Sequence, residues 1–432
     1  MAKPREGVVR QISEEESKMT NTKEQLKQER EQRMDTAISL GTPDRVPFAP
    51  KMSAFYMLGY GISIYDAMKD ARLIGPGYRA FLREYEPDAV NMAGLYAMDP
   101  LEALGCTFLR WPGPTHDLPL DSSFQHLDKE FLHDDEYQEF IDDPTHMILT
   151  KILPRKYERL AGLSKLYLRE SYDATQIGDL AAFADPDVQK ALQALADAGK
   201  ATNARNQQMA YLRNIIAEEG FSTYCQCGAF VIPFDAFADS VRGILRTVQD
   251  IYEYPEELET VVNKLTRLNA KRQILKFKER GAKRVFIPLH CGVDEFMSNA
   301  NYEKFYWSNL KQCIMMIIEN GMTPVCFCEG NYNSRLEIIS DVPKGKVVYM
   351  FEKVDLKRAK ETVGKVACIC GTVPNALLAF GTEEQVINET RRQLDILAPG
   401  GGFIMDCSIM LDNASHKNMR AWRETTLKYG CY

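Results

Sequence analysis

Three consecutive segments decide the fold: Arg284-Val-Phe-Ile-Pro-Leu-His290, the stretch from Asn301 to Asn320, and Thr323-Pro-Val-Cys-Phe-Cys328. The first and last are short apolar runs of strand length. Between them Phe305, Leu310, Cys313, Ile314, Ile317 and Ile318 recur at helical spacing, and Gly321 follows as a stop. Strand, helix, strand predicts parallel pairing through a right-handed crossover.

The alternation continues outward. Lys346-Val-Val-Tyr-Met-Phe351, Lys365-Val-Ala-Cys-Ile-Cys370 and Gly402-Phe-Ile-Met-Asp406 read as further strands, and Thr382-Glu-Glu-Gln385 has capping-box spacing for a helix between the last two. Earlier, Arg45-Val-Pro-Phe-Ala-Pro50, Asp88-Ala-Val-Asn-Met92 and the segment 220–228 are strand-like. No GxGxxG follows a strand and no GxxxxGK[ST] occurs, which argues against the open nucleotide-binding sheets and for a closed barrel. The expected fold is α/β, a single (β/α)8 barrel over residues 36–432. A polar N-terminal helical extension over residues 1–35 precedes it, and residues 112–200 form an excursion from it.

The composition is that of a globular protein: 432 residues, 45% hydrophobic and 26% charged. With 60 acidic and 53 basic residues the net charge is -7, and no basic stripe stands out, so no nucleic-acid partner is expected. No apolar run reaches spanning length and the first residues lack an apolar leader segment, so neither a membrane nor secretion is expected. The 11 Cys are then expected to be reduced thiols in a cytoplasmic protein.

In a parallel barrel the reactive groups collect where strands end. After 284–289 come His290 and Cys291, and after 323–327 come Cys328, Glu329 and Asn331. The next ends carry Cys370, then Asp406 and Cys407. Thiolate, imidazole and carboxylate are zinc ligands, and donors drawn from separate strands make the catalytic pattern. Free thiols are also ordinary packing groups, but a carboxylate ending an apolar strand needs a partner or water. Asp235 and Asp239 are expected to have a structural role, near a helix start, with Asp239 paired to Arg242. His116, His126, His133 and His146 are expected to face solvent. Tyr56, Tyr60, Tyr96 and Trp111 could line an aromatic pocket or simply pack.

The stretch Glu31-Gln-Arg-Met-Asp-Thr-Ala-Ile-Ser-Leu-Gly-Thr-Pro-Asp-Arg-Val-Pro47 resembles the opening of uroporphyrinogen decarboxylase-like proteins. Pro324-Val-Cys-Phe-Cys-Glu-Gly-Asn331, Cys370-Gly-Thr-Val-Pro374 with Phe380-Gly-Thr-Glu-Glu384, and Gly400-Gly-Gly-Phe-Ile-Met-Asp-Cys407 are similar to later motifs of the superfamily. The resemblance covers most of residues 30–432 and implies a barrel.

The Arg-rich Met-Arg-Gln-Ala-Gly-Arg segment of true decarboxylases is replaced by Phe48-Ala-Pro-Lys-Met-Ser53, which argues against a polycarboxylated tetrapyrrole substrate. The corrinoid-dependent methyltransferase branch implies a zinc ion. By that likeness its His falls on Phe327, its first Cys on Glu329 and its last Cys on Cys407, with His290 or Cys370 completing the set. The implied activity is an aryl methyl ether O-demethylase component. It moves the methyl group of a small aromatic methyl ether to cobalamin on a partner corrinoid protein. Glu329 and His290 would be catalytic, and Tyr56, Tyr96 and Asn331 substrate-binding. The alternatives are a methylcobalamin:thiol methyltransferase of coenzyme M type, a decarboxylase, and a non-catalytic corrinoid or tetrapyrrole binder. A homodimer is compatible with the likeness.

Overall fold

A computed structural model describes residues 6–92, 94–169, 171 and 173–432. A short antiparallel pair, β1 (Leu109–Arg110) and β2 (Gln125–His126), stands apart from the main sheet. The main sheet is parallel, in the order β3 (Arg284–Leu289), β4 (Thr323–Asn331), β5 (Val348–Lys353), β6 (Cys368–Cys370) and β7 (Phe403–Ile404). Chain order equals spatial order, as expected when each crossover carries a helix.

The remaining three staves close the ring through single bridges. Phe48 pairs with Met405, the Asp88 amide donates to the Phe48 carbonyl at 2.7 Å, and Val90 pairs with Thr223. The Phe230 amide donates to the Phe286 carbonyl at 2.8 Å, bringing the stave after residue 220 against β3. The expected strands at 45–50, 88–92 and 220–228 are therefore present, but as bridges rather than ladders. Pro47, Pro50 and Pro87 remove the amide donors that longer pairing needs.

Strand alternation sorts the side chains into a lumen and an outer core. Phe286, Val325, Val348 and Cys368 stand in one layer by register, with Pro288, Phe327, Met350 and Cys370 in the next. Val325, Phe327, Met350, Cys370 and Ile404 belong to one buried cluster inside the barrel. Cys326 and Cys328 point the other way, into the core beneath the helices. The same alternation carries His290, Glu329, Glu352 and Asp406 toward the C-terminal mouth.

The helix Glu6–Ile38 runs unbroken past residue 35, where the extension was expected to end. Its last turns seal the floor. Met34, Ala37 and Ile38 join the lumen cluster, while Glu31 and Asp35 hold the buried Arg284 guanidinium at 3.0 and 3.1 Å. Arg33 and Arg45 both bind the buried Asp88, at 2.6 and 2.7 Å. Residues 112–200 are mostly helical, ending in the long helix Pro186–Glu218. Among the described residues no helix is long and apolar enough to cross a membrane.

Candidate functional site

At the mouth, His290 stands between two carboxylates. Its Nδ1 lies 2.9 Å from Asp239 Oδ2 and its Nε2 lies 3.3 Å from Glu329 Oε1. The backbone that carries the ring is held by Asp235. That buried carboxylate accepts the His290 amide at 2.9 Å, the Cys291 amide at 3.2 Å and the Tyr306 hydroxyl at 2.9 Å. The two side chains of the His290–Glu329 pair are 34% and 37% exposed, so a substrate can reach them.

The electrostatics follow from this cage. Burial opposes charge on His290, but the bonds to Asp239 and Glu329 and the charges of Asp235 and Glu329 outweigh it, raising the pKa to about 11. His290 is an imidazolium at neutral pH. Asp235, stripped of water, is raised to about 6, with Asp239 pushing the same way and the neighbouring His290 opposing. Gly330 donates its amide to Glu352 Oε2 at 2.6 Å, adding a carboxylate beside Glu329.

Asp239 sits on the π-helical turn Ala238–Arg242, a geometry that often marks functional sites. Asp235 lies in the first turn of the helix Pro233–Phe237, the helix start expected for it, and it bonds to the His290 amide, while Asp239 bonds to the His290 ring; the expected pair of Asp239 with Arg242 is corrected. Asp239 does not pair with Arg242. That guanidinium turns into the core to Glu130 at 2.6 Å and Asp250 at 2.7 Å, because Asp250 is as buried as it is and needs a cation. The sequence did hold a signal. Phe230-Val-Ile232 is an apolar run with Asp235 three residues beyond it, a looser form of the pattern that singled out Glu329. Glu352, which follows the apolar run of β5, fits it too.

A second cluster lies where β6 ends and just beyond β7. Lys51 is wholly buried, with Nζ 3.0 Å from Asp406 Oδ2 and a further bond to the Cys407 carbonyl. Cys370 Sγ lies 3.3 Å from Asp406 Oδ2 and Cys407 Sγ 3.4 Å from Asp406 Oδ1. Burial and the adjacent Asp406 push both thiols well above their ordinary range, so they are thiol donors rather than thiolates. Lys51 Nζ also stands 5.2 Å from the centre of the Phe327 ring.

The four residues considered for zinc thus fall into two pairs. His290 and Glu329 meet each other, and Cys370 and Cys407 meet at Asp406. Among the described residues no group of three or more His, Cys, Asp or Glu side chains is gathered as a metal ion would need. His290 offers both ring nitrogens to carboxylates, and the thiols are protonated. This donor set, as arranged, does not fit a single zinc ion.

The aromatic expectations divide likewise. Tyr56 is fully buried and stacked on Tyr78, with centroids 4.0 Å apart, and among the described residues its hydroxyl has no hydrogen-bond partner. Tyr96 is exposed, packs edge-on against Phe124 at 4.6 Å, and places its hydroxyl 3.2 Å from His126 Nε2. His126 is exposed as expected, yet it lies within the electrostatic reach of Asp239, His290 and Lys156. Asn331 is held on the rim by Glu295 at 3.4 Å and Asn333 at 2.7 Å. Trp111 is buried against His116.

The chain resembles the solved structure of a methyltransferase from Methanosarcina mazei. The identity is 14% and the TM-score 0.57, over 92% of this chain and 98% of that one. At that identity the likeness shows the fold, a barrel of this kind. No curated protein matches the sequence. Residues 182–429, more than half of the chain, match the family described as Uroporphyrinogen decarboxylase (URO-D), and the chain belongs to that family.

Proposed function

We propose that the protein is a methyltransferase that cleaves an aromatic methyl ether, with the imidazolium of His290 giving its proton to the leaving oxygen, which departs as a phenol. The observation that carries this is the Asp239–His290–Glu329 line at the barrel mouth. The solved methyltransferase of similar fold supports the reaction class.

An aryl ether is inert because the departing phenolate is a poor leaving group. An acid on the ether oxygen removes the developing charge. Phenols ionise near pH ~10. The bond from Asp239 and the charge of the buried Asp235 favour the imidazolium, so a proton stands ready at Nε2 for the oxygen that departs as a phenol. Asp239 fixes the ring through Nδ1 and leaves Nε2 to act. Glu329 keeps that nitrogen charged until the ether oxygen takes its place.

A reduced corrinoid on a partner protein, when docked, would supply the nucleophile that accepts the methyl group. The residues of this chain would orient the ether, hold the proton at Nε2 and keep the barrel floor closed to water through Met34, Ala37 and Ile38. The test is methyl transfer from methoxylated aromatics by the purified protein, with and without reduced cobalamin. Turnover that needs the corrinoid supports the reading. Ether cleavage without it, or no cleavage of any methoxylated aromatic, overturns it.

A further inference from the structure

We propose that Lys156 is a specificity-determining residue that binds an anionic group, a carboxylate, on the aromatic methyl donor. The inference rests on the function proposed above and narrows its substrate class. Lys156 is 7% exposed, and among the described residues no carboxylate lies within ion-pair distance of it. Its Nζ donates to the Ser240 carbonyl at 2.9 Å and lies 4.4 Å from the Phe108 ring centre and 5.3 Å from that of Phe131. A carbonyl and two ring faces do not neutralise a buried ammonium.

Its position ties it to the mouth. Ser240 follows Asp239 on the same π-turn, and Asp239 holds His290. Cys106 and Asp239 both act on Lys156 electrostatically, but neither is within ion-pair distance of it, and Asp239 is bound to the imidazolium at 2.9 Å. His126, the partner of Tyr96, also lies in the field of Lys156. Burial depresses the ammonium to about 8, as expected where the counter-charge arrives with a ligand. Tyr96, Phe124 and His126 then supply an aromatic face, His290 the acid at the ether, and Lys156 the cation for a second substituent.

The experiment is equilibrium binding of the three methoxybenzoates and the matching neutral methoxybenzamides, measured by calorimetry with the full chain. The wild type should bind at least one methoxybenzoate about tenfold or more tightly than its amide, as for a charge-assisted bond. Lys156→Met should abolish that preference while amide binding persists, and Lys156→Arg should retain part of it. Met suits the apolar surroundings, and thermal unfolding checks that both variants fold. Equal binding of acid and amide, or an acid preference that survives in Lys156→Met, overturns this inference alone. Binding of neither class, with no methyl transfer, overturns the proposed function along with it.

Discussion

His290 Nε2 stands 3.3 Å from Glu329 Oε1 across the ends of two adjacent parallel strands. Leu289 and Cys328, the residues just before them, are register partners, so the contact is built by the sheet itself rather than by flexible loops. That rigidity suits a proton donor, whose efficiency depends on holding a short geometry.

Glu329→Gln keeps the shape and removes the charge. We expect kcat for methyl transfer to fall by about a hundredfold or more, the range for losing acid–base assistance, with KM changed little. His290→Gln should do at least as much. Steady-state rates measured through the corrinoid absorbance change decide this, and a Glu329→Gln enzyme of normal kcat would show the pair to be structural.

The same pair makes stability depend on pH. The folded pKa of His290 is raised from the ordinary 6.5 to about 11. Its stabilisation is complete below 6.5, declines above that value and is gone once pH passes about 11. Asp235, raised to about 6 from 3.8, contributes stability below 3.8 that is lost as pH rises through about 6. Urea midpoints of wild type and His290→Gln should differ most near pH 6 and converge toward pH 11. A gap independent of pH would contradict the assigned protonation.

Lys51 and Asp406 are a fully buried pair. Lys51→Met strands the carboxylate and should destabilise the fold by about 3–5 kcal/mol, while Lys51→Met with Asp406→Asn should recover much of the loss. Chemical denaturation of the three proteins checks this, and a single variant as stable as wild type would refute the brace.

Cys407 is bound to Asp406 as a thiol. We expect purified protein to carry well under one zinc per chain, and Cys407→Ala to have the same metal content as wild type. One zinc per chain, lost in both Cys407→Ala and Glu329→Ala, would show that the two clusters converge on a metal after all.

Much of the barrel was legible in the chain, because a buried parallel strand must be an apolar run and its crossover helix must carry a 3.6-residue stripe. The runs at 284–290, 323–328 and 346–351 needed no tertiary information, and each ends in or just before a group at the mouth. The staves at 45–50 and 88–92 were legible only as short segments, since proline leaves them isolated bridges in place of ladders. Glu329 and His290 stood out because charge after an apolar run demands a partner.

What the sequence could not supply was who that partner is. Asp239 lies 51 residues from His290, and its local pattern favours Arg242, three positions on. Only folding shows that Arg242 is drawn inward by Asp250 and that Asp239 is left for the imidazole. Likewise Cys370 and Cys407 stand open between packing and metal binding until strand register sets them around Lys51 and Asp406. Local spacing determines element type and strand ends, because those depend on near neighbours and burial. Pairing among charged groups depends on which competitor is buried deepest, and that is decided only when the barrel closes.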